Sequence, residues 1–451
     1  MSTTNKKNKN MLIFIYLALT IAFIIFATAK YKIHPFLTLI IASLWMGLVS
    51  GLETDIIIKS LSEGFGNTLK SIGIVIACGS IIGTYLEKTG SAKSIARSLL
   101  KMTGNDRSPL SMNLTGFFVS IPVFCDSGYV ILSTLNKAIN RKTGISLAVL
   151  GTSLAAGLYA THVFVPPTPG PLAAASILGA NIGRVLIYGF IVAVTVSLVG
   201  WFWSIYYCSR FSINSDLMEE QEKDEVSQLP DVFTALLPII VPIFLITIKS
   251  VMDHPSIILQ NKTLEQIISF IGHPIIAILL GVFIAMISMR DLSKEQHFNW
   301  VADGLKAAGT IILITGAGGA FGNILRATSI SDVINQGLID FEIGLLLPFF
   351  IAALLKTAQG SSTVSIITTA AMIAPLLDAL GLSSEMGKVL SVLAIGAGAM
   401  TVSHLNDSYF WVVSQFSKMS TGVALRSHTI ATFFQGVTAI LLIQGLSLLL
   451  L

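Results

Sequence analysis

The chain has 451 residues, of which 53% are hydrophobic and only 12% charged, and its formal net charge is +4; soluble domains carry roughly 25% charged residues. That balance excludes an ordinary soluble enzyme, and because the basic residues are scattered among loops rather than gathered on one face, it also excludes nucleic acid as a partner. Cys78, Cys125 and Cys208 lie in apolar surroundings without CxxC or CxH spacing, so no disulfide framework, zinc site or other metal or cofactor is implied.

In chain order, apolar runs close to the ~20 residues a helix needs to cross a bilayer occur at 11–29, 33–50, 71–86, 185–208, 232–249, 273–289, 307–325 and 428–451. They predict an all-α polytopic membrane protein. The first run follows Lys6, Lys7 and Lys9 and ends in Ala27-Thr28-Ala29, as a signal peptide does. Its 19 residues exceed the roughly 7 to 15 of a signal peptide's apolar core, so it is expected to stay as the first span.

The only long polar segment, 209–231, is acidic and divides the chain into near-equal parts, 1–208 and 232–451. These parts resemble each other. Glu63-Gly64, Gly83 and "YLEKTGSAKSI" in the first match Asp303-Gly304, Gly322 and "ILRATSISDVI" about 240 residues later. With about five crossings per part, an odd number, the second copy is expected upside down relative to the first, an architecture of transporters.

Each half also carries a segment too short to span. "SMNLTGFFVSIPVFCDSGYVILSTLNKAINRK" has apolar arms of about 12 residues around "PVFCDSG", and "LLLPFFIAALLKTAQGSSTVSIITTAAMIAPLL" repeats the pattern around "KTAQGSST" (356–363). Both read as re-entrant helical hairpins. Irregular backbone at membrane depth survives only where protein or a water-filled cavity covers it, so both tips are expected to line a cavity. An interrupted helix follows each hairpin: one contains "THVFVPPTPGP", the other "SHLNDSYFW". Pro166, Pro167, Pro169 and Pro171 end one helix and let another begin, leaving amide ends that attract anions and carbonyls that attract cations or protons. From Gly144 to His162 is 18 residues, about 27 Å at a ~1.5 Å rise. The break therefore reaches mid-depth only if that helix starts outside the apolar core or runs obliquely.

"PVFCDSG", "THVFVPPTPGP", "KTAQGSSTVS" and "SHLNDSYFW", in this order over nearly the whole chain, resemble the gluconate:H+ symporter (gluconate permease, GntP) family. The resemblance implies an ion-coupled transporter with inverted repeats, re-entrant hairpins and interrupted helices. It implies uptake of gluconate, a related sugar acid or D-serine across a bacterial inner membrane.

Asp126, an acid at a hairpin tip within the bilayer, is the first candidate for proton coupling, since intramembrane acids are functional by default; the bland alternative is a cap on the second arm. Asp407 is the second candidate, against a capping role for the helix that starts at Tyr409. For substrate, the candidates are Ser127 and, at comparable points of the two breaks, His162 and His404, with Asn406 and Ser408 to bind hydroxyls. Thr168 and Gly170 are expected to let backbone amides reach a carboxylate. Lys356, Gln359, Gly360, Ser361, Ser362 and Thr363 supply one cation and many neutral donors, which suits a polyhydroxylated monoanion; hydroxyls satisfying their own helix turns are the alternative. "GAGGAFG" (316–322) imitates a nucleotide loop, but lies within an apolar span and is better explained by close helix packing.

The expected mechanism is alternating access with proton and substrate bound between tips and breaks; sodium coupling is the nearest rival, and a channel or an intramembrane hydrolase are the rivals of other classes. The lipid bilayer is the surrounding partner, and a homo-oligomer is compatible with the sequence. Lys88, Lys93, Arg97, Lys101, Arg107, Lys137, Arg141 and Lys142, read as loop residues, favour a cytoplasmic side for the loops flanking the first hairpin, which with ten crossings places both termini outside.

Overall fold

The computed structural model describes residues 3–215, 229–252, 261–288, 292–328, 344–405 and 407–451. Most of the acidic segment 209–231 and part of "ILRATSISDVI" lie outside them. Among the described residues the chain is helical throughout, without a strand. The first half contains α1 (Thr3–Ala29), α2 (Pro35–Val49), α3 (Thr54–Lys88), α4 (Ser91–Thr103), α5 (Ser108–Val119), α6 (Cys125–Thr143), α7 (Leu147–Phe164), α8 (Pro169–Leu178) and α9 (Ile182–Tyr206). The second contains α10 (Val232–Met252), α11 (Lys262–Ile271), α12 (Pro274–Ile287), α13 (Lys294–Ala327), α14 (Leu346–Gln359), α15 (Ser362–Ile373), α16 (Glu385–Met400), α17 (Ser408–Phe416), α18 (Thr421–Ala424) and α19 (Ile430–Leu450).

Hydropathy located the spans but misjudged two of them. The runs 71–86 and 307–325 are only the apolar ends of α3 and α13, which have 35 and 34 residues, about 50 Å each at a ~1.5 Å rise. Their polar ends stay helical because a buried stripe continues along them: in α3, Ile57, Ser60, Gly64, Thr68 and Ile72 are buried at helical spacing while Lys59, Glu63 and Lys70 point outward. The two helices cross at the glycines of the nucleotide-like run. A methyl group on Gly64 would come within 2.5 Å of the Gly319 carbonyl oxygen, so both must be glycine for the backbones to meet. A second correction concerns 91–103. This basic stretch is α4, whose Ser91, Ala92, Ser94, Ile95 and Ala96 are buried; mean hydropathy overlooks a helix that is apolar on one side only. The amphipathic α11 was missed for the same reason, and it meets α12 at a 65° bend.

The two halves repeat one order of elements. α2 and α12 begin alike: His34 Nδ1 accepts the Phe36 amide at 3.3 Å, His273 Nδ1 accepts the Ile275 amide at 3.4 Å, and proline occupies the first helical position each time. α5–α6 and α14–α15 are helix–turn–helix hairpins, and α7/α8 and α16/α17 are helices broken over 165–168 and 401–407. Each first arm packs closely on the following broken helix: a methyl on Gly157 of α7 would collide with the Asn113 carbonyl of α5, and one on Gly398 of α16 with the Phe349 carbonyl of α14. The halves also exchange partners. The second arm α6 packs on α17, and α15 packs on α8. All of α7 from Leu147 to Phe164 is buried, so the first broken helix runs through the centre of the protein.

Candidate functional site

The first tip is the turn from Ser120 to Phe124, fastened by the Ser120 hydroxyl on the Val123 carbonyl at 3.1 Å. α6 begins at Cys125, with Phe124 at the capping position and no side-chain cap bond. Asp126 therefore sits in the first turn of a helix, where the macrodipole favours a negative charge. The Cys125 thiol approaches Asp126 Oδ2 at 3.8 Å, while buried Oδ1 has no hydrogen-bond partner. Ser127 follows, half-buried. A cleft beside this tip is lined by Gly79 and Ser80 of α3, Pro122 to Phe124, His162 and Pro167 to Pro169, which places the proline-rich break and the tip on one wall.

At the break, Thr168 is the residue before α8, yet its hydroxyl donates to the Val165 carbonyl at 2.5 Å rather than capping the helix. Gly170 lies against α15, where a methyl group would meet Ile366 at 2.9 Å; its smallness serves the contact between halves. His162 is buried, stacked near Tyr159 with ring centroids 6.4 Å apart, its Nε2 3.5 Å from the Thr363 hydroxyl and its Nδ1 without a partner.

The second tip is more completely bonded. α14 ends at Gly360, whose φ of 78° turns the chain, and Ser361 caps α15 by accepting the Val364 amide at 3.3 Å. The first residue of α15, Ser362, is buried. Lys356 points inward. Its ammonium donates to the Gly360 carbonyl at 3.2 Å and pairs with Asp407 Oδ2, and it lies 5.9 Å from the centre of the Tyr159 ring. The same Oδ2 accepts the Ser403 hydroxyl, which is 3.1 Å from His428 Nε2, and Asp407 Oδ1 accepts the Tyr409 amide at 3.1 Å. Asp407 thus caps α17 and neutralises Lys356 at once. The paired side chains are 1% and 4% exposed, so the one lysine of the polar set presents no charge to the cleft.

The structure brings His162, Thr363, Lys356 and Asp407 together around the Tyr159 ring, and Asp126 approaches from the first tip, where the Phe124 ring lies 6.4 Å from that of His162. It does not bring all the candidates there. Ser408 is exposed on α17, and His404 is half-buried within the second break, its carbonyl accepting the Asp407 amide at 2.8 Å. The two histidines are not equivalent: His162 ends a helix and His404 lies beyond one. Asn406 and the side chain of Gln359 lie outside the described residues. Sequence reasoning missed Ser403, His428 and Tyr159. Ser403 stood unremarked inside a quoted motif, Tyr159 lies two residues before another, and His428 was absorbed into the edge of the last apolar run; a lone histidine in such a run is the signal that could have found it.

A helical bundle with two hairpins, two broken helices and a buried polar centre defines a polytopic membrane transporter, not an enzyme, and the comparisons with known proteins agree. The chain belongs to the GntP family of permeases, whose family profile matches residues 11–449; it is a multi-pass protein of the bacterial inner membrane. It is 34% identical to a gluconate permease of Pseudomonas aeruginosa over 96% of each chain, and 31% identical to the D-serine transporter DsdX of Escherichia coli over 94% of this chain and 96% of the other. The L-idonate transporter of the Gnt-II system of Escherichia coli is 29% identical over 92% of this chain and 94% of its own. Among solved structures, MtrF of Neisseria gonorrhoeae superposes with a TM-score of 0.69 over 93% of this chain and 96% of its own, and the YdaH transporter of Alcanivorax borkumensis with 0.61 over 92% and 99%. Both are 16% identical and share the fold.

Proposed function

We propose that this protein takes up gluconate or a closely related hydroxylated monocarboxylate together with a proton, by alternating access. The observation that carries the reading is the unpartnered Oδ1 of Asp126 beside a Lys356–Asp407 pair that is already neutral. An ionised Asp126 repels an incoming carboxylate; a protonated one removes the repulsion and offers an O–H donor. Substrate and proton then favour each other's binding, which is the thermodynamic content of symport. The proton also cancels the ~2.3 kcal/mol per 100 mV that opposes entry of one negative charge into a cell negative inside. The hydroxyls of Ser362, which is buried, and Thr363 stand at the start of α15, where the hydroxyls of a sugar acid find partners.

The names of the relatives support a small acid as cargo, with D-serine as the second reading because a relative of nearly equal identity bears that name. The matched order of elements supports two inverted halves, 1–208 and 232–451, joined by the acidic segment 209–231. Purified protein in liposomes tests the reading. An inward proton gradient should drive labelled gluconate above equilibrium, a protonophore should abolish this, and sodium at fixed pH should change nothing. Uptake blind to the pH gradient removes proton symport, D-serine winning over gluconate in competition replaces the substrate, and single-channel currents remove the carrier.

A further inference from the structure

We propose that the Lys356 ammonium is a tethered cation that fills a coupling-ion site built into the second half, and that this occupancy makes the carrier indifferent to sodium. The inference rests on the reading above and specifies which ion that reading leaves to do the coupling.

The surroundings of Lys356 Nζ are those of a bound monovalent cation. A carboxylate oxygen of Asp407 and the Gly360 carbonyl at 3.2 Å face it, Ser403 holds the same carboxylate oxygen, and the Tyr159 ring lies 5.9 Å away. The Gly360 carbonyl follows the C-terminal end of α14, and half-helix C-termini and unwound carbonyls are what coordinate sodium or protons in broken-helix transporters. Lys356, Ser403 and Asp407 are 1%, 0% and 3% exposed, so the ammonium is removed from water. A lysine serving a substrate carboxylate would present its nitrogen to the cleft; this one is turned away into oxygen ligands of its own half.

The first half supplies the contrast. Its hairpin tip carries an acid where the second tip carries Lys356: Asp126 has a thiol at 3.8 Å, one oxygen without a partner, and no ion-pair partner among the described residues. One tip thus carries a covalently held cation, and the other presents a carboxylate oxygen that no protein group engages. A proton needs a single lone pair and suits Asp126, whereas sodium needs several oxygens, and the place that offers them is already taken.

Removing the ammonium while keeping its ligands should therefore create a sodium site. Lys356→Met leaves the Asp407 carboxylate and the Gly360 carbonyl around a vacated position. Thermal unfolding of the purified variant in sodium, lithium or choline chloride at constant ionic strength is the primary measurement. Its melting temperature should rise with the logarithm of sodium concentration, as mass action requires, while the wild type melts alike in all three salts. Lys356→Met/Asp407→Asn, without the ligand carboxylate, should lose the sodium response. In liposomes, Lys356→Met uptake should fall to background in choline and return along a saturable curve as sodium is added. A Lys356→Met protein that melts identically in sodium and choline, or that cannot be recovered in either while the double variant can, overturns the proposal, as does a wild type stabilised by sodium. The melting measurements need neither substrate nor pH gradient, so their failure leaves the symport reading standing, and failure of uptake by the wild type leaves the melting result standing.

Discussion

Asp126 and Asp407 are both acids at the start of a helix inside the apolar core, and their surroundings divide two tasks between them. Asp407 has an amide on one oxygen and an ammonium and a hydroxyl on the other; Asp126 has one oxygen with no partner at all. Asp126→Asn is expected to bind substrate and to exchange it across the membrane in counterflow, but not to accumulate it against a gradient. Counterflow and proton-driven uptake measured on the same liposomes check this; loss of both would make Asp126 a structural residue. Asp407→Asn should instead destabilise the fold, by about 3 to 5 kcal/mol, because it leaves the Lys356 charge buried without a counter-ion. A shift in thermal unfolding reports it.

At the scale of elements, the hairpins stay in place because small residues let backbones touch. Gly157 and Gly398 do the same work in the two halves, each admitting a carbonyl of the first hairpin arm against the broken helix. Gly157→Ala and Gly398→Ala should each cost about 1 to 3 kcal/mol through overpacking and should lower the melting temperature by similar amounts. Equal losses at the two sites would match the repetition of the halves; a neutral substitution at one would show that its hairpin can shift without strain. The breaks themselves need no common chemistry. Four prolines terminate and restart the first helix, whereas in the second a left-handed Val402 (φ 60°) and an aspartate cap suffice.

At the scale of the whole molecule, α3 and α13 cross as a long pair, and the hairpins and broken helices pack on one another between the halves. Alternating access requires one of these groups to move past the other. Ser71 of α3 and Ser176 of α8 touch through their hydroxyls, so paired cysteines there report the motion. Oxidised Ser71→Cys/Ser176→Cys protein should lose uptake and recover it on reduction, and the buried Cys78, Cys125 and Cys208 should not interfere. Unchanged uptake in the oxidised pair would place the moving boundary elsewhere. The basic residues of α4 and the end of α6 still favour a cytoplasmic side for that end of the bundle; a protease-accessible tag on each terminus is expected to be cleaved from outside.

Composition and apolar run length were enough to settle the class of protein, because too few charged residues are present to cover a water-facing surface and the apolar runs have the length that crosses a bilayer. The hairpins and breaks were also legible, because an apolar arm too short to cross must return and a cluster of prolines cannot remain helical. What no linear reading could decide is who neutralises whom. Lys356 and Asp407 are 51 residues apart, and only the packing of α14 against the second break turns a presumed substrate cation and a presumed coupling acid into one neutral pair. The same holds for His428 and Ser403, and for the open oxygen of Asp126, since a missing partner is a property of everything that folds around it.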